Sequence, residues 1–205
     1  MIRENFEKNM LELQNKMVEM VDLTVIAMEK SFTALQKQDM SLALDIIEED
    51  AYIDELENEI NQMAIWLMAK EQPVARDLRR IISMIKMSSD IERIADFAVN
   101  TAKATVKINK TESILEKTSI VDMKDISMDM LKKAMHAFIG EDIALAKAVG
   151  ELDDKVDEKN HQNYAVLTGY IAENPHDTEQ AVQLLMINRF MERAADHITN
   201  MAEST

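Results

Sequence analysis

Eight carboxylates in this chain fall into four pairs: Asp50 with Asp54, Glu92 with Asp96, Asp153 with Asp157, and Glu192 with Asp196. The members of each pair are four residues apart, which on an α-helix puts both groups on one face, about 5–6 Å from each other. Like charges at that spacing destabilise a solvated helix. Two of the eight also continue apolar lines. Glu92 lies seven residues after Ile85 and seven before Val99, and Glu192 lies seven after Leu185 and seven before Thr199. A carboxylate on a core-facing line must be paired, protonated or bound to a cation. Oxygen-only ligation suits hard ions such as magnesium, calcium or manganese, and also iron. Bridging carboxylates with several open positions permit multinuclear clusters. The competing reading is a solvated acidic face that forms salt bridges with Arg93, Arg193, Lys155 or Lys159.

The elements that must position these groups read as helices. Ile46, Ile53, Ile60 and Leu67 fall seven apart, with Leu42, Ile47, Leu56 and Met63 on the same face. Leu78, Ile81, Ile85, Ala95, Val99 and Ala102 make a second stripe, and no period-2 strand is convincing. Breaks are few. Gln38-Asp39-Met40-Ser41 supplies caps after a first helix of about 30 residues. Pro73 marks the next turn, because the residue before a proline disfavours helix. Lys107 to Thr111 separates the halves. Gly140 reads as a C-cap followed by the acidic first-turn residues Glu141 and Asp142. Asn174-Pro175-His176-Asp177-Thr178 is the last turn. The expectation is an all-α chain of six long helices in two sets of three, divided into residues 1–108 and 109–205.

The halves match one another. At a shift of 103, Ala34, Asp39, Ala43, Asp50 and Asp54 fall on Ala137, Asp142, Ala146, Asp153 and Asp157. After the turn the shift becomes 100, and Glu92, Arg93, Ala95, Asp96 and Asn100 fall on Glu192, Arg193, Ala195, Asp196 and Asn200. Amphipathic period alone does not produce a repeated Glu-Arg-x-Ala-Asp-x-x-x-Asn, so internal duplication is the simplest explanation. Counted from turns at Gln72 and Asn174, the facing acidic pairs differ in mean level by two residues in the first half and one in the second. At helical rise that is about 3 Å or less. Each half therefore brings four carboxylates face to face across an antiparallel hairpin.

Composition removes other classes. A formal charge of −15, from 23 basic and 38 acidic residues, argues against a nucleic-acid partner and fits a cytosolic protein or a cation binder. The absence of cysteine removes disulfides, thiolate zinc sites, iron–sulfur clusters and cysteine nucleophiles. Three glycines and two prolines are too few turn signals for an all-β protein. Seventeen methionines against nine aromatic residues suggest a helical core filled by flexible side chains, Met10, Met17, Met20 and Met28 among them. Met1 to Phe6 holds no apolar signal-peptide region, and no apolar run is long enough for a membrane span.

Weaker candidates surround the carboxylates. Glu173 and His176 have Glu-x-x-His spacing, but Pro175 breaks the helix between them. His197, beside Asp196, could ligate or support a ligand, and the favoured reading is a partly exposed helix residue. Arg76, Arg79 and Arg80 cluster at a helix start, where cations oppose the dipole. They could hold phosphate or an acidic partner, and the favoured reading is salt bridges to Glu71 or Asp77.

Three strings carry a family resemblance: Gln72-Pro73-Val74-Ala75-Arg76-Asp77-Leu78-Arg79, Ser89-Asp90-Ile91-Glu92-Arg93-Ile94-Ala95-Asp96, and the upstream acidic run Glu49 to Glu57. The chain resembles the PhoU family of phosphate-signalling proteins over nearly its whole length. Ala95 and Ala195 stand where that family usually has glycine, and the second half has Asn174-Pro175-His176-Asp177 in place of the Gln-Pro turn. The resemblance implies two tandem three-helix bundles related by a pseudo-twofold axis. It implies metal clusters, of iron, zinc, manganese or magnesium, held by Asp50, Asp54, Glu92 and Asp96 and by Asp153, Asp157, Glu192 and Asp196. It also implies a cytoplasmic, homodimeric negative regulator rather than an enzyme. Such a regulator works at the inner face of the membrane through its partners. It couples a phosphate ABC transporter, through its ATPase, to a sensor histidine kinase, and restrains phosphate uptake when phosphate is plentiful. Three alternatives stay open. One is an accessory protein of a phosphate permease without a kinase. Another is a carboxylate-bridged metalloenzyme, for which no general base beyond His197 is visible. The last is a helical scaffold kept soluble by its acidic faces.

Overall fold

The computed structural model describes residues 2–108 and 112–205. Residues 109–111, which belong to the expected separator between the halves and begin its second unit, lie outside the described residues. The first half contains α1 (Ile2–Lys37), α2 (Met40–Glu49), α3 (Ala51–Glu71) and α4 (Ala75–Lys107). The second contains a one-turn α5 (Glu112–Leu115), then α6 (Ile120–Gly140), α7 (Ile143–Glu173) and α8 (Thr178–Glu203). Pro175–Asp177 forms a 3-10 turn between the last two. No strand occurs among the described residues. Each half is a three-helix bundle, α1 with the α2–α3 line and α4, then α6 with α7 and α8.

Two local expectations are corrected. The second long helix of the first half is split at Asp50, whereas its counterpart α7 runs unbroken through Asp153. Residues 45–59 hold eight acidic and no basic side chains, while residues 148–162 hold five acidic residues and two lysines. Unrelieved like-charge pairs at i,i+4 weaken the first helix where they meet. The C-cap of α6 is also not Gly140. Glu141 takes the left-handed conformation at φ 52°, as Gln38 does at the same φ after α1. Hydrogen bonds offset that cost for a residue bearing Cβ. Asp142 N–H donates to Ala137 O at 2.9 Å, and the Asp142 carboxylate then caps α7 by accepting from Leu145 N–H at 2.9 Å. Asp39 repeats both bonds, to Ala34 O and from Leu42 N–H, each at 3.0 Å.

The apolar stripes face inward. Ile46, Ile53, Ile60 and Leu67 are buried, as are Met10, Met17, Met20 and Met28. The halves share one continuous core, with α4 packed on α8 and α1 on α6. Phe97 of α4 stacks on Phe190 of α8 at 5.7 Å between ring centres. Lys124 of α6, almost fully buried, reaches Glu29 of α1 at 2.6 Å.

Beneath the second half runs a buried amide ladder. Asn163 donates to Asn188 Oδ1 at 2.9 Å, and its own Oδ1 accepts from Ser119 N–H at 2.8 Å. It thereby fixes α7 against α8 and against the start of α6. Asn163→Ala leaves the Asn188 oxygen and the Ser119 amide short of partners. We expect a loss of about 1–3 kcal/mol, read as a lower urea midpoint at unchanged m-value.

Candidate functional site

Helix geometry delivers the carboxylates as two facing sets. Asp50 stands at the α2–α3 break and Asp54 in the first turn of α3, opposite Glu92 and Asp96 in the middle of α4. Asp153 and Asp157 lie on α7 opposite Glu192 and Asp196 on α8. Asp50, Glu92, Asp96, Asp153 and Glu192 are half-buried, and Asp54, Asp157 and Asp196 are exposed. The groups therefore sit at the rim of the core rather than inside it, on heptad lines whose Ile85, Leu185 and Thr199 are themselves only half-buried.

They sense each other across the hairpins. Burial pushes the Asp50 carboxyl above the ordinary range, and Asp54 and Asp96 push it further. Burial raises Glu92, with Asp96, Glu57 and Asp54 adding to it, and burial and Asp54 raise Asp96. In the second half Asp153 is pushed up to about 6, chiefly by burial and then by Asp157 and Asp196. The nearby Thr199 hydroxyl, which donates to Ala195 O at 3.0 Å, offsets part of that rise. Burial, Asp196 and Asp157 raise Glu192.

Basic side chains do not relieve the repulsion at contact. None of the eight carboxylates lies within 4.0 Å of a lysine or arginine nitrogen among the described residues. Lys159 is turned to Asp122, at 3.2 Å. Arg93 and Lys103 in the first half, and Arg189 and Arg193 in the second, lower the neighbouring carboxyls only at longer range. The donor set thus fits a hard cation chemically: all oxygen, mutually repelling and without a contacting counter-charge. As placed, no three acidic or histidine side chains among the described residues converge on one point. Ligation would therefore require side-chain rotation toward a shared centre.

Glu57 belongs with the first set and was missed as a site residue. It is half-buried and pushes Glu92 up. Its position, seven residues after Asp50, was the available signal. At the shift of 103 its counterpart is Asn160, so the two sets are not equivalent. An apolar groove of about 580 Å³ also flanks the first set, where the α2–α3 break opens against α1; Ile26, Ile46 and Val99 line it beside Asp50.

Two weaker candidates find their partners across the seam between the halves. His197 turns its Nδ1 to Asp90 of α4 at 2.9 Å and lies beside the Phe97 ring. It ties the halves together and faces away from the pair it adjoins. Arg76 and Arg80 ion-pair with Glu141 of the second half, rather than with Glu71 or Asp77.

Similar proteins share this frame. The family model described as PhoU domain matches residues 17–105 and again 120–205. A protein of Clostridium acetobutylicum named phosphate-specific transport system accessory protein PhoU homolog is 33% identical, over all of this chain and 94% of its own length. A protein of the same name from Aquifex aeolicus is 36% identical over 91% of this chain and 84% of its own. Two crystal structures superpose closely. PhoU from Pseudomonas aeruginosa aligns with a TM-score of 0.88 at 26% identity, covering 97% of this chain and 96% of that one. The phosphate transport system regulatory protein PhoU from Streptococcus pneumoniae aligns at 0.90 and 26% identity, covering 97% and 94%. Among the described residues no helix is long and apolar enough to cross a membrane.

The raised Asp153 carboxyl gives a direct check. In chelator-treated protein, Asp153→Asn removes one half-buried charge from a repelling set. It should raise Tm at neutral pH by roughly 2–4 °C, the shift that about 1 kcal/mol gives in a chain of this size. Asp45→Asn, on the exposed face of α2, should leave Tm within about 1 °C.

Proposed function

Because the chain belongs to the PhoU family, we propose that it is a metal-binding regulatory adaptor of phosphate homeostasis. It restrains phosphate uptake and phosphate-starvation signalling from the cytoplasmic face of the membrane, as a homodimer without catalytic activity of its own. Its partners are the ATPase of a phosphate ABC transporter and a sensor histidine kinase. The names of the relatives, as accessory and regulatory proteins of phosphate transport, support the transporter association. The kinase link rests on the family resemblance.

One observation carries the metal reading: two duplicated sets of carboxylates, half withdrawn from water, with no basic side chain among the described residues in contact. Asp50, Asp54, Glu92 and Asp96 hold one site, and Asp153, Asp157, Glu192 and Asp196 the other. Bound iron, zinc, manganese or magnesium would supply the missing positive charge between facing helices. Glu57 adds an acidic group to the first site, and the Thr199 hydroxyl stands beside Asp153 in the second. Because the α2–α3 line breaks at Asp50, the first site joins three helical segments, while the second joins two. The chain's own contribution is orientation: the hairpins set the carboxylates at matched levels, and the shared core keeps α4 and α8 in register.

Elemental analysis of untagged protein tests this reading. Wild type should carry more than one metal ion per chain. Asp50→Asn/Glu92→Gln and Asp153→Asn/Glu192→Gln should each lose about half of it. A wild type that binds no metal after loading at neutral pH overturns the metal reading. The adaptor reading is tested separately by isolation from membranes of phosphate-replete cells. Transporter ATPase and kinase should both co-purify with the protein. The ATPase alone would indicate a permease accessory, and neither would overturn the adaptor.

A further inference from the structure

At the seam between the halves, the geometry points to an oxyanion site lined by Arg76, Arg79 and Arg80, which takes a phosphate-type dianion in competition with Glu141. The three arginines occupy the first two turns of α4 at relative positions i, i+3 and i+4, so they share one face. They line a cleft of about 370 Å³, whose other walls include Ser83, Glu141 and Thr205. Three arginines line it together with Glu141 and with Thr205, the last described residue, in a chain whose formal charge is −15. Cations at a helix start oppose the dipole, so their concentration at this point needs a counter-charge.

Glu141 supplies part of it. Arg80 Nη1 donates to Glu141 Oε1 at 3.1 Å, and Arg76 Nη2 donates to Glu141 Oε2. Arg80 Nη2 donates to Ile139 O at 3.0 Å. Arg79 forms no ion pair among the described residues. The remaining donors are informative. Arg80 Nε and Thr205 Oγ1 are both buried without a hydrogen-bond partner, and both residues line this cleft. A buried charged donor left unpaired is costly. A tetrahedral oxyanion accepts from several directions at once and can satisfy a guanidinium edge and a hydroxyl together.

The pseudo-symmetric position shows that the fold does not need these charges. At the shifts that relate the halves, Glu141 corresponds to Gln38, Arg79 to Glu179 and Arg80 to Gln180. Gln38 has the same φ of 52° as Glu141, so that turn forms without the charged group. The arginine set is therefore a feature of one seam only. Glu141 lies in the turn between α6 and α7, and the arginines lie on α4. A ligand that takes the place of its carboxylate exchanges a covalently tethered link between the halves for a diffusible one. The proposal requires nothing of the carboxylate sets described above.

Isothermal titration tests it, at fixed ionic strength, with inorganic phosphate in one arm and AMP in the other. The protein is chelator-treated Asp50→Asn/Glu92→Gln/Asp153→Asn/Glu192→Gln, so that metal-bound phosphate cannot contribute, and wild type runs beside it. Saturable binding at one site per chain is expected. Arg79→Gln, at an exposed residue outside the ion pairs, should weaken it about tenfold, as loss of one charge-assisted hydrogen bond does. Glu141→Gln should tighten it, because the competing carboxylate is gone. Saturation by phosphate would identify a free-ion site, and saturation by AMP alone would assign the phosphoryl group to a larger ligand. Absence of saturable binding in both arms overturns the proposal. So does binding unchanged by Arg79→Gln, or binding weakened by Glu141→Gln in protein whose melting curve stays cooperative.

Discussion

Carboxylates held half out of water on facing helices, with no basic side chain among the described residues touching them, raise the free energy of the folded chain. The rest of the structure answers that constraint. Long helices keep the acidic pairs at matched levels, and short turns at Gln72 and Asn174 keep the hairpins in register. Packing of α3 on α4 and of α7 on α8 holds the facing pairs together, so they cannot drift apart to relieve their repulsion. Five of the eight carboxyls are displaced upward as a result. A globular protein is only marginally stable, so repulsion retained in two places calls for an offsetting charge.

Duplication has not kept the halves identical. The first has its helix broken at Asp50, the additional Glu57 and an apolar groove beside the break. The second has an unbroken α7, Asn160 in place of Glu57, and a Thr199 hydroxyl near Asp153 in place of Val99. Buried amides fasten the second half, where the first has Ile60 and Ser88 at the positions of Asn163 and Asn188. The first site is thus the more acidic and the less rigidly joined, and the second the more tightly fastened. Such a division suits one responsive site and one anchoring site.

Much of this was legible in the residues. Period and turn residues place the long helices, and the repeated Glu-Arg-x-Ala-Asp string exposes the duplication. The level matching of acidic pairs, read from turns at Gln72 and Asn174, is reflected in Asp50 sensing Asp96 and Asp153 sensing Asp196. Other features depend on energies that pattern does not encode. The break at Asp50 comes from accumulated like charge, and its backbone remains in the right-handed helical region, so no glycine or proline announces it. The left-handed turn at Glu141 was misassigned to Gly140, because the hydrogen bonds around Asp142 compensate for a Cβ. The partner of Arg76 and Arg80 lies about sixty residues away across the seam, which local charge pairing could not show. Whether the carboxylates close on a metal is a matter of rotamers, and spacing fixes only the helix face.

Stability as a function of pH, measured by urea unfolding with and without manganese, tests the central claim most directly. A carboxyl whose folded pKa is raised binds its proton more tightly folded than unfolded, so its contribution to stability falls as pH rises from about 4 to about 6. Between pH 7 and pH 5 the chelator-treated protein should therefore become more stable as acid is added. With manganese present the slope should reverse, because protons compete with the cation for the same oxygens. Parallel pH profiles with and without the metal would contradict the account. The carboxylates would then be a solvated acidic face that no cation needs to balance.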